Sequence, residues 1–163
     1  MRRTVIVFAL TATAFIAAAC DDPGLLNQSV GASIDEGNVI VHIVLCPGER
    51  VTFVRALEMR GEFLDKRDPV VWQISSEGGS TVSQIELGVL PDGFTEDEPY
   101  AMPTRDKNPL QVSFLTNIQT NVPPTVGFRM RVLKKRVIYT NEGYFDPIAF
   151  ADRGAERCEL ITS

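Results

Sequence analysis

Asn38–Cys46 reads NVIVHIVLC, and a run so dense in β-branched and aliphatic side chains fits one conformation, the extended strand. It does not alternate, so both faces are predicted buried except at His42. Cys46-Pro47-Gly48-Glu49 then reads as a turn, because proline presets the first central φ and glycine accepts the second. Short apolar runs between such turns recur along the chain, and they constrain the fold more than any other feature.

Arg50–Met59 begins as a strand with Val51, Phe53, Leu57 and Met59 on one face, and Ala56–Asp65 is expected to be irregular or helical. Val70–Ser75 places Trp72 and Ile74 inward. The glycines of Glu77-Gly78-Gly79-Ser80 suit a hairpin, with Thr81–Leu87 as the returning strand. Leu110–Phe114, Thr125–Leu133 and Val137–Thr140 complete the strand set. The last is expected to pair with its predecessor across Lys134-Lys135-Arg136. About seven strands and no sustained amphipathic helix predict an all-β fold, an antiparallel β-sandwich of immunoglobulin-like architecture. The immunoglobulin family itself does not match: Trp72 lies 26 residues after Cys46, and Glu156 stands where a corner tyrosine belongs. Tyr144–Ser163 reads as a tail docked by Phe145, Ile148 and Phe150 and fastened by Cys158.

The chain opens differently. Arg2 and Arg3 precede an uncharged stretch, Val5–Ala19, closed by Cys20 and then Asp21-Asp22-Pro23-Gly24. The stretch is shorter than the roughly 20 apolar residues that span a bilayer, and small residues mark its end, which makes it an export signal. Ala17-Ala18-Ala19-Cys20 resembles the lipobox of bacterial lipoproteins, with Ala17 where that motif usually has leucine. The resemblance implies removal of residues 1–19, diacylglycerol on Cys20, and residence on the extracytoplasmic face of a cell membrane. An ordinary signal-peptide cut after Ala17-Ala18-Ala19, leaving Cys20 a plain thiol, is the alternative. Arg2-Arg3 leaves both the general and the twin-arginine export routes open. The resemblance stops at Cys20. The expected organisation is a signal peptide over 1–19, a flexible polar tether over 20–37, and a sandwich domain over 38–163.

Loss of Arg2 and Arg3 takes the 16 basic residues to 14 against 21 acidic ones, a net charge of −7 for residues 20–163. That charge repels nucleic acid and bare anionic lipid, so membrane attachment is left to acyl chains at Cys20. One acyl chain holds only marginally and two or more are needed. With Cys20 acylated, Cys46 and Cys158 remain as an even pair, expected to form a disulfide outside the cytoplasm. Closing a loop of that length contributes roughly 4–5 kcal/mol by chain entropy.

Chemistry-bearing motifs are sparse. His42 is the single histidine, in mid-strand, with no nucleophile elbow or zinc-binding helix motif elsewhere. Asp92, Glu96, Asp97, Glu98 and Asp106 supply oxygens of the kind calcium takes, in a spacing that matches no known calcium loop. Arg129, Arg131, Lys134, Lys135 and Arg136 form the one basic run, read as a solvated strand face and turn. No catalytic residue, metal ligand or cofactor site is assigned. The expectation is a non-enzymatic envelope lipoprotein whose β-domain binds an envelope protein or cell-wall polymer, or serves a structural role. A small secreted enzyme or enzyme inhibitor using the Phe94–Asn108 loop is the alternative.

Overall fold

The computed structural model describes residues 29–61, 65, 67–103, 108–118 and 123–162, the last three by backbone alone. Among the described residues ten strands are divided between two sheets: β1 (Val30–Asp35), β2 (Asn38–Ile43), β3 (Val51–Glu58), β4 (Val70–Ser80), β5 (Gln84–Glu86), β6 (Thr95–Glu98), β7 (Leu110–Thr116), β8 (Thr125–Phe128), β9 (Ile138–Thr140) and β10 (Gly143–Phe145). A 3₁₀ turn (Met130–Val132) follows β8, and a helix, α1 (Pro147–Thr162), follows β10. One sheet has the order β10-β9-β1-β2-β5, the other β6-β4-β3-β7-β8, and every pairing is antiparallel. The expected all-β sandwich is present, with more strands than the turn signals announced.

The core lies between the sheets as one cluster. Val30, Ala32, Val41 and Ile85 come from the first sheet, and Val54, Trp72, Ile74, Val112, Phe114 and Val126 from the second. Each Val, Ile or Phe buried there contributes roughly 1.5–3 kcal/mol. Trp72 and Ile74 point inward as their alternation predicted, and the Trp72 indole N–H is satisfied by Glu96 Oε1 at 2.9 Å. The Cys46–Glu49 turn also forms, with Gly48 at φ +83° and the Glu49 N–H donating to the Cys46 carbonyl.

Several local expectations fail for physical reasons. Residues 30–37 of the predicted tether 20–37 are not a tether, because β1 is the central strand of its sheet. Its small residues are a packing requirement. A Cβ on Gly31 would overlap Ile138 Cγ2 and crowd the Phe150 ring. Gly78-Gly79 makes no hairpin either: β4 runs through it to Ser80, with an irregularity opposite Thr52 where the register jumps from Phe53↔Ser75 to Val51↔Ser80. Gly79 sits there at φ +65°, where a Cβ would lie 2.7 Å from Arg50 Cβ. The chain then changes sheets, and β5 pairs with β2 instead of β4. The same irregularity alters β3, burying Val54 and Ala56 and leaving Phe53 only half-buried, while the strand persists to Glu58 instead of turning helical. Thr125–Leu133 stops being a strand at Phe128, and β9 pairs with β1 and β10.

The largest departure is α1, where a tail was expected. Asp146 caps it, its Oδ1 accepting the N–H groups of Ile148 and Ala149 at 2.9 and 3.0 Å, and Pro147 occupies the first helical position. The helix lies on the outer face of the first sheet as a third layer. Phe150 meets Gly31 and the edge of the His42 ring, and Gly154 sits so close to Val44 that a Cβ would overlap both its Cβ and Cγ1.

The far end of α1 is clasped twice. Cys158 is bonded to Cys46, with Cα atoms 5.2 Å apart. Beside that bond, Arg157 and Glu49, 2% and 4% exposed, form an ion pair: Nη2 lies 2.9 Å from Oε1 and Nη1 3.3 Å from Oε2. Glu49 also accepts the Cys46 N–H at 2.7 Å and the Thr116 hydroxyl at 3.3 Å, while Arg157 Nη1 reaches the Val44 carbonyl at 3.4 Å. The edge of β8 is closed by one side chain: Asn141 accepts from the Gly127 N–H and donates to the Thr125 carbonyl.

Two substitutions test this docking by urea denaturation. Gly154→Ala is expected to lower stability by about 1–3 kcal/mol, with Val44→Ala restoring part of the loss. Arg157→Met strands a buried carboxylate and is expected to cost about 3–5 kcal/mol. Adding Glu49→Leu should recover only part of that, because the Cys46 N–H and Thr116 hydroxyl then lose their acceptor.

Candidate functional site

Cys20 lies outside the described residues, and Cys46 and Cys158 are joined. His42 stands opposite Gly31 on the outer face of the first sheet, beneath α1. Its Nε2 shares a 2.8 Å hydrogen bond with Ser33 Oγ, and its ring meets Phe150 edge-on at 6.4 Å. A serine–histidine contact invites comparison with an activated nucleophile, which needs an orienting partner on the other ring nitrogen and room for a substrate. Among the described residues no group bonds the second ring nitrogen, and Ser33 is buried. Burial lowers the His42 pKa, keeping the ring neutral at neutral pH. This geometry is that of a packed pair under a helix.

The acidic residues of the Phe94–Asn108 segment go to β6 and its neighbours. Phe94 is in the core, and Thr95–Glu98 is a fully exposed edge strand. Glu96 holds the Trp72 indole, and Asp97 accepts from the Ser75 hydroxyl at 2.9 Å and the Gln73 amide at 3.5 Å. Asp106 lies outside the described residues, among which no three His, Cys, Asp or Glu side chains converge as metal ligands. A row of like charges on an edge strand also discourages pairing with another chain.

The basic run sits on turns, not on a strand face. Arg129 and Arg131 flank Met130 in the 3₁₀ turn, and Lys134–Arg136 form the next bend beside the tip of the β1–β2 hairpin, where the Ile34 N–H donates to the Lys134 carbonyl. Lys135 pairs with Asp35 at 2.8 Å, and Lys134 lies over the Tyr144 ring at 4.4 Å. Arg129, Arg131 and Arg136 are exposed and make no ion pair among the described residues.

At that same hairpin tip a cleft of about 200 Å³ opens between the sheets. Val39, Leu87, Tyr100, Met102, Leu110 and Met130 supply its apolar lining, and Asn38 and Asn108 its polar groups. The segment carrying Tyr100 is held by the Ala101 N–H, which donates to the Val71 carbonyl at 2.7 Å. Gly88, at φ +86°, lets the Tyr100 ring lie on bare backbone; a Cβ would stand 2.9 Å from it. Partial burial raises the Tyr100 pKa. Asn108 is fixed by donating to the buried Glu58 carboxylate at 2.9 Å. Sequence reasoning missed the cleft because five separate stretches contribute to it and no periodicity links them. A second hollow, about 370 Å³, lies over Arg60, Asp65, Arg67 and Asp68, whose groups largely satisfy one another: Asp65 pairs with Arg67, and Asp68 accepts the N–H groups of Arg60 and Asp65.

No protein-family model, curated protein or solved structure matches the chain.

His42 gives a pH test with a fixed sign. Its folded-state pKa is below the unfolded value near 6.5, so the unfolded chain binds the proton first as pH falls. Its contribution to stability is complete above the unfolded pKa and declines through the window beneath it. Against a His42→Gln variant, wild type should therefore lose relative stability in urea titrations as pH falls from about 6.5 to about 5. A pH-independent difference would remove the buried-neutral assignment.

Proposed function

We propose that this protein is a cell-envelope lipoprotein, anchored through acyl chains on Cys20 at the extracytoplasmic face of a membrane, with a non-enzymatic β-sandwich that binds another envelope component. The observation that carries this reading is the Cys46–Cys158 bond. It suits an oxidising compartment, and it leaves Cys20 as the one cysteine available for lipid. Among the described residues no helix is long and apolar enough to cross a membrane.

The fold supports a binding role by its polarity along the strands. Ser29 accepts the Val44 N–H at 2.9 Å, so the chain joins the sandwich at the end that carries the Cys46 turn and Cys158. The cleft and the exposed arginines are at the other end of β1, roughly 20 Å away for a strand of this length. A domain tethered at its Ser29 end presents the cleft away from the anchor.

Intact-mass measurement on protein extracted from membranes tests the reading. The expected species begins at Cys20 and carries a diacylglycerol thioether, and Cys20→Ala should move the protein to the soluble fraction. A soluble wild-type chain with an alkylatable Cys20 would overturn it.

A further inference from the structure

We propose that the cleft at the β1–β2 hairpin tip is a socket for one large apolar side chain, presented by an acidic segment of a partner protein. The inference rests on the binding role proposed above and specifies the chemistry of what is bound.

Size decides the first part. Pockets for whole metabolites run to roughly 300–1,000 Å³, whereas an apolar cavity of about 150 Å³ already holds a benzene ring. At about 200 Å³ the cleft accommodates a single leucine, phenylalanine or tryptophan side chain and little more. Its lining suits such a guest. Among the described residues none of the lining side chains carries a charge, and two are methionines, whose unbranched thioethers adapt to the shape that enters. The Tyr100 hydroxyl makes no hydrogen bond among the described residues and is free to meet a backbone or indole group at the mouth.

The surroundings indicate a macromolecular partner. Seven large apolar side chains are exposed among the described residues, and four of them belong to this end: Tyr100 and Met102 at the cleft, and Val89 and Leu90 immediately after the Gly88 contact with Tyr100. Met102 is 79% exposed. Apolar surface gathered in one place, around a hole of side-chain size, is the form of an interface with a central anchor.

Charge selects the partner. Met130 enters the cleft wall between Arg129 and Arg131, both exposed and without an ion pair among the described residues. On the adjoining hairpin tip Asp35 is neutralised by Lys135, and Glu36 is the remaining acid. The whole chain is acidic, at net −5, so an acidic segment is repelled by most of the surface and steered to this basic rim.

The test uses the full chain, oxidised and solubilised in detergent, with methyl-labelled methionine, and the capped peptide Asp-Glu-Trp-Glu-Asp as probe. The Met102 and Met130 methyl resonances should shift in a saturable way, while the amide of Glu49 at the opposite end stays put. Replacing the peptide's tryptophan by alanine, or its acids by lysines, should weaken binding by about tenfold or more at low salt. Met102→Glu, at an exposed position, should abolish it, and Arg129→Ala with Arg131→Ala should weaken it and flatten its salt dependence. Unmoved methionine resonances, or equal binding of the lysine peptide, would overturn the proposal. Indole alone binding as tightly as the peptide would make the cleft a small-molecule site and overturn it as well. Concentration-dependent Met102 shifts without peptide would make a second copy the occupant, with the same consequence. Acylation of Cys20 is read separately, so an anchored protein that ignores the peptide refutes the socket alone. An unacylated protein that binds the peptide refutes only the anchoring.

Discussion

A carboxylate with almost no access to water organises this molecule. Glu49 is held in place by the Pro-Gly turn that follows β2, and it ties three separate parts of the chain together: its own turn, through the Cys46 N–H; the end of β7, through Thr116; and the last helix, through Arg157. Burying either charge alone would be strongly unfavourable, so the ion pair forms only when α1 lies in its one correct position. The neighbouring disulfide acts on the same helix by a different means, limiting the excursions of the unfolded chain. With the helix seated, Phe150 and Gly154 cover the part of the outer face of the first sheet that carries Gly31, His42 and Val44.

The sandwich class was legible because it follows from period and turn chemistry. Val70–Ser75 alternates as a half-buried strand should, Pro47-Gly48 fits a single turn type, and Cys46 and Cys158 are an even pair once Cys20 is set aside. Connectivity was much less legible. Gly78-Gly79 has the composition of a hairpin, yet its positive φ serves an irregularity in a longer strand, and nothing local distinguishes the two uses. Strand β1 was hidden by its small residues, which are small because Ile138 and Phe150 press against Gly31.

The helix was obscured by the same effect. Its inward positions are Phe150, Gly154 and Arg157, one aromatic, one glycine and one charge, so the apolar stripe that usually announces a docked helix is missing. Asp146-Pro147 was the available signal, a cap followed by the residue favoured at the first helical position. The cleft gave no warning of any kind. Side chains from both sheets and two connections meet there, and only the completed topology brings Leu87, Tyr100 and Met130 together.

The bond between Cys46 and Cys158 spans 112 residues, and its second cysteine follows every described strand. A polypeptide that emerges amino-terminus first, from a ribosome or through a translocation pore, carries Cys46 outside while its mate, 112 residues behind, is still inside. All ten described strands are out before the sulfur of Cys158 arrives. Oxidation is thereby placed last in the order of assembly: it seals a finished sandwich and does not guide one into being.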